Sequence, residues 1–85
     1  MRIQLLSKPG CHLCEDAEKV VQTVCGRLAL PWEQINIEQD ADLYERYKHE
    51  IPVLLLDGKR TFKYHIEEKA LCTALFRRGR AMRER

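Results

Sequence analysis

The sequence predicts an α/β fold, a four-stranded mixed sheet flanked by three helices in βαβαββα order. Short apolar runs alternate with amphipathic stretches of helical period, and the stretch between the first two runs is long enough for the crossover that parallel strands need. Asp57-Gly58, between two later runs, is a strong hairpin signal and adds antiparallel strands. A strand, helix and strand at the start then require a right-handed crossover. Everything fits one domain, residues 1–85, because a chain of this length has room for a single core.

The first strand is expected over Met1–Ser7, made apolar by Ile3, Leu5 and Leu6 and broken by Lys8, Pro9 and Gly10. A helix follows from beside Cys11, with the stripe Leu13, Ala17, Val20, Val21, Val24 and Leu28 against the sheet and Pro31 as its stop. Cys25 sits on the border of that stripe, where a buried structural cysteine is expected. Trp32–Ile37 alternates as a strand. Asp40 or Asp42 can cap a short helix that packs through Leu43, Tyr44 and Tyr47. Ile51-Pro52 leads into the central run Val53–Leu56, and Lys59–Tyr64 returns. The last helix is expected from about Ile66 to Arg78, with Ile66, Ala70, Leu71, Ala74 and Leu75 inward. Cys72 points away from that stripe, an exposed thiol read as an ordinary surface residue ahead of a site of glutathionylation or dimer cross-linking.

Composition narrows the function. Hydrophobic residues make up 45% and charged residues 33%, the balance of a folded domain rather than a disordered one. The apolar stretch Ile3–Leu6 is too short for a signal-peptide core or a membrane span, so the expected location is cytoplasmic, with no membrane partner. A net charge of +2 does not call for a polyanion. Arg77, Arg78, Arg80, Arg83 and Arg85 read as a solvated helix end suited to its dipole; without interleaved aromatics they do not imply nucleic acid. The expected state is a monomer.

Four cysteines in a reducing compartment point to redox or metal chemistry rather than a disulfide scaffold. Cys11 falls at the strand-to-helix junction and Cys14 one turn on, so one disulfide can bridge them. The helix start, with Lys8 and His12 nearby, favours a thiolate at Cys11, the expected nucleophile; His12 has a supporting role at most. Cys14 is suited to resolve the mixed disulfide that Cys11 forms. A zinc site competes, but it needs two further ligands; there is no second Cys-x-x-Cys, and Cys25 is about 16 Å along the helix. Copper delivery also uses Cys-x-x-Cys, yet no methionine precedes Cys11 here. No metal is expected.

The segment Ser7-Lys8-Pro9-Gly10-Cys11-His12-Leu13-Cys14 resembles the active-site segment of glutaredoxins, and Ile51-Pro52-Val53 resembles the cis-proline motif of the thioredoxin superfamily. With the Asp57-Gly58 hairpin, the resemblance covers nearly the whole chain and is closest to small bacterial glutaredoxin-like proteins. It implies a thioredoxin fold, Cys11 as nucleophile, Cys14 as resolving thiol, and a cis Pro52 beside Cys11 that exposes the Ile51 backbone to an extended substrate. His12-Leu13 replaces the usual Pro-Tyr, and Tyr64-His65-Ile66-Glu67-Glu68 replaces the Gly-Gly turn and Asp that receive glutathione. Lys8 remains to hold one carboxylate, so glutathione is expected to bind weakly and no other cofactor is expected.

The leading reading is thus a thiol-disulfide oxidoreductase whose partners are a disulfide-containing protein or a thiol reductant. Two others compete: a non-catalytic thioredoxin-fold binding module, and a carrier of an iron-sulfur cluster bridged between two chains. The intact cysteine pair favours the first, because a pure binding module has no use for a resolving thiol. Trp32 and Tyr64 are candidates for a substrate groove or for strand packing, and His49 and His65 read as surface residues.

Overall fold

A computed structural model describes the backbone of residues 1–83 and the side chains of residues 1–79. The elements run β1 (Ile3–Ser7), α1 (His12–Arg27), β2 (Glu33–Asn36), a single 3-10 turn (Ile37–Gln39), α2 (Ala41–Tyr47), β3 (Val53–Leu56), β4 (Lys59–Lys63) and α3 (Glu68–Arg83). The sheet order is β2-β1-β3-β4, with β1 and β2 parallel and both other pairs antiparallel. This is the four-stranded, three-helix arrangement expected from the sequence. The arginines Arg80 and Arg83 lie beyond the described side chains, and Arg85 lies beyond the described residues.

The pleat sorts the core onto two faces of the sheet. Ile3, Leu5, Leu54 and Leu56 face α1 and α3, where they meet Ala17, Val21, Val24, Leu71 and Leu75. Leu6, Val53 and Leu55 face the other way, onto Ile37 and the α2 side chains Leu43, Tyr44 and Tyr47. Because β1 and β3 are covered on both faces, every residue of both strands is buried, and β3 is a continuous apolar run rather than an alternation.

Several boundaries differ from the sequence expectation. Helix α1 ends at Arg27, four residues before Pro31: Ala29 N–H donates to the Gly26 carbonyl at 3.2 Å and Leu30 N–H to the Cys25 carbonyl at 2.8 Å, with Ala29 at φ +54°. This is a Schellman motif, so the helix closes on its own carbonyls before the proline acts. Leu28 therefore leaves the stripe and is exposed, as is Leu13 at the other end. Asp40 caps α2, its Oδ1 accepting from Asp42 and Leu43 N–H at 3.0 and 3.1 Å.

Helix α3 starts two residues later than expected. Ile66 stays outside it and packs in the same core as Leu71, the hydrophobic staple across a helix start. With Ile66 removed from the helical count, the inner face is set by Leu71 and Leu75. Ala70 turns outward and Cys72 turns inward, half-buried against the core, a correction to the exposed Cys72 expected above. Among the described residues no helix is long and apolar enough to cross a membrane.

Candidate active site

Gly10, at φ +78°, turns the chain out of β1 and into α1. That left-handed backbone favours glycine and leaves Cys11 at the first capping position of the helix. Cys11 has extended backbone angles, φ −99° and ψ 109°; its carbonyl accepts from Glu15 N–H at 3.1 Å and its Sγ from Cys14 N–H at 3.1 Å. The sulfur thus occupies the place of a serine or aspartate capping oxygen, facing amides that have no helical partner. Negative charge on Cys11 Sγ is stabilised by that donor and by the helix dipole.

Cys11 and Cys14 are joined as a disulfide with a Cα–Cα distance of 5.1 Å. They are not equivalent. Cys11 is partly exposed, whereas Cys14 is 2% exposed and belongs to the core face formed by Leu6, Ile37 and Ile51. The floor is completed by the loop before β3. The Ile51-Pro52 peptide bond is cis, and Cys11 packs against the cluster that contains Ile51 and Cys14, so the loop lies beside the pair. Among the described residues no backbone group of the chain bonds the Ile51 N–H or carbonyl.

Tyr64, which the sequence left between groove and packing, holds this loop. Its N–H donates to the Pro52 carbonyl at 2.8 Å and its hydroxyl to the His49 carbonyl at 3.1 Å, bracketing the segment from both ends. Tyr64 itself sits at φ +65° with His65 N–H donating to the Lys63 carbonyl at 2.8 Å, the rarer and strained form of γ-turn. Glu50 adds ion pairs to Arg60 and Lys63 of β4. The sequence showed only a bulky residue where glycines are expected, not its bonds to the loop.

The other sequence candidates divide. Lys8 lines a polar groove of about 400 Å³ beside Cys14, with Ser7, Gly10, Glu15 and Gln34. His12 is 96% exposed and turned toward Glu15, Nδ1 to Oε2 3.8 Å, rather than toward Cys11. Leu13, between the two cysteines, presents an apolar side chain to solvent. Trp32 packs on the α1–α3 face next to Glu33, which pairs with Gln4 near the start of β1, the end opposite the cysteines, so it does not line the site. His49 and His65 are exposed. Cys25 is buried as expected, and burial pushes its thiol upward. Among the described residues no group of three or more His, Cys, Asp or Glu is placed to hold a metal ion.

Residues 2–76 match the Glutaredoxin-like domain family (DUF836). The chain belongs to that family. This glutaredoxin-like chain is 26% identical over 77 residues to the Glutaredoxin-like protein YDR286C homolog of Dictyostelium discoideum, spanning 84% of this chain and 71% of that one. Among solved structures it is similar to target protein XcR50 from X. campestris, with a TM-score of 0.72 at 25% identity, covering 86% of this chain and 93% of that one. Thioredoxin 1 from Thermosipho africanus superposes with a TM-score of 0.71 over 98% of this chain and 99% of its own, at 12% identity, a likeness of fold alone. The architecture is thus the thioredoxin fold, and a paired Cys-x-x-Cys on it supports a redox-type function for this glutaredoxin-like chain.

Proposed function

We propose that the chain is a thiol-disulfide oxidoreductase that exchanges its Cys11-Cys14 disulfide with disulfide-containing proteins. The observation that carries this reading is the asymmetry of the pair: one sulfur caps a helix at the surface and the other lies beneath it in the core. In the reduced state the Cys11 thiolate attacks a substrate disulfide R–S–S–R′, forms Cys11–S–S–R and releases R′S⁻, which takes a proton from water. Cys14 then gives up its proton, attacks the Cys11 sulfur and expels RS⁻, leaving the Cys11-Cys14 disulfide. A thiol reductant restores the dithiol with two electrons and two protons.

The unbonded Ile51 backbone lets an extended substrate segment pair beside the cysteines, and the exposed Leu13 gives it an apolar contact. Lys8 supplies a point charge for a substrate carboxylate. Glutathione is a poor ligand because Tyr64 and His65 stand where glycines would admit the tripeptide. The expected setting is a reducing, cytoplasmic one, and no resident cofactor takes part. The test supplies oxidised protein and NADPH with either glutathione and glutathione reductase or thioredoxin reductase, and follows insulin disulfide reduction. Protein disulfides reduced with slow turnover of a glutathione mixed disulfide support the reading. Rapid turnover of the mixed disulfide with inert insulin overturns it.

A further inference from the structure

Two thiols lie outside the active site, and the fold brings them to one place. Cys25 on α1 is 0% exposed, and the Schellman turn folds Leu30 back over it. Cys72 on α3 packs against the same core and on its other side lines an apolar groove of about 760 Å³ with Leu28, Leu30, Leu75 and Phe76. The helices are pinned at this level by Arg27 Nη2 and Glu68 Oε1 at 2.9 Å, a pair two residues beyond Cys25 and one turn before Cys72. Cys25 belongs to the core cluster between α1 and α3 that Cys72 packs against, and the charge of Cys72 adds to burial in pushing the Cys25 thiol up.

We propose that Cys25 and Cys72 form a second dithiol, a modification site at which a low-molecular-weight disulfide thiolates Cys72 through the groove and Cys25 then closes a disulfide between α1 and α3. It is independent of the Cys11-Cys14 chemistry. In the first step Cys72 loses its proton and attacks the reagent RSSR, forming Cys72–S–S–R and releasing RS⁻, which is protonated. In the second step Cys25 loses its proton, attacks the Cys72 sulfur and releases the other RS⁻. The two cysteines lose two electrons and two protons, and the reagent gains them as two thiols. The order follows from access, since a buried Cys25 cannot meet the reagent first. The raised Cys25 thiol makes the closing step faster as pH rises.

The experiment incubates fully reduced protein with excess oxidised glutathione at mildly alkaline pH. After an acid quench, free thiols are alkylated in denaturant and the unreduced digest is read by mass spectrometry. A peptide linking Cys25 to Cys72 is expected, with the Cys72 glutathione adduct only transient; Cys25→Ala should accumulate that adduct instead. A stable Cys72 adduct in the unmutated protein with Cys25 alkylated, a Cys72 link between two chains, or both thiols alkylated after Cys11-Cys14 has oxidised would each overturn the proposal. The mapping of the unmutated protein decides it even if the variant fails to fold.

Discussion

Cys11 and Cys14 share a helical turn but not an environment, and the division of labour proposed for them rests on that difference. The reduced protein should therefore react at Cys11 first: limiting iodoacetamide at neutral pH is expected to label Cys11 ahead of Cys14 and Cys72 by peptide mapping. Faster labelling of either of the others contradicts the assignment. His12 contributes little here, since its side chain is turned to Glu15 in open solvent. Tyr64 is the residue whose role the sequence did not reveal, because a positive φ and two bonds across a loop are properties of the folded chain. Replacing it tests the proposed exclusion of glutathione. Tyr64→Gly removes the strained backbone and opens the space, so KM for a glutathione mixed disulfide should fall; an unchanged KM means that Tyr64 is not the obstacle.

At the scale of elements, periodicity and turn chemistry made most of the fold legible, and what they missed were the places where hydrogen bonds in the folded chain override the local signal. The middle of the α1 stripe, Ala17 to Val24, and the Asp57-Gly58 hairpin could be read directly, because apolar spacing and φ > 0 residues leave marks in sequence. The end of α1 could not. A Schellman turn with alanine rather than glycine in the left-handed position carries no such mark, so Pro31 looked like the stop. The same position yields a prediction. An L-residue at φ +54° costs about 1 kcal/mol and glycine loses part of that gain through its freer unfolded state, so Ala29→Gly should stabilise by about 0.5 kcal/mol. Urea denaturation should show a higher midpoint with an unchanged slope; a lower midpoint contradicts the cap geometry.

The hairpin turn also fastens the termini of the fold to the sheet. Asp57 accepts from Arg2 N–H and from Arg78 Nε, each at 2.8 Å, and these contacts, the Arg2 amide first, hold its carboxyl below the usual carboxylate range. Because the folded value is depressed, the stability it contributes is present above the unfolded value near about 4 and is lost as pH falls through the folded one. Thermal melts of the unmutated protein should fall more steeply below about pH 4 than those of Asp57→Asn, which should be less stable at neutral pH. Parallel pH profiles contradict this.

For the whole molecule, a two-faced core fixes the end of β1, the start of α1 and the loop before β3 against one another, so that the partly exposed Cys11 stands over a buried Cys14. Topology and the Cys-x-x-Cys site were legible because they depend on residue type and spacing. The inward turn of Cys72 was not, since it depends on where α3 starts, and that is decided by Ile66 packing outside the helix. The central claim is that Cys11 attacks and Cys14 resolves. Trapping tests it most directly: each cysteine is changed to serine and the variant is incubated with a disulfide-bonded protein. Non-reducing electrophoresis with peptide mapping should show Cys14→Ser accumulating an adduct through Cys11, and Cys11→Ser forming none. An adduct through Cys14 in Cys11→Ser, or no adduct in Cys14→Ser while its Cys11 still alkylates, would contradict the account.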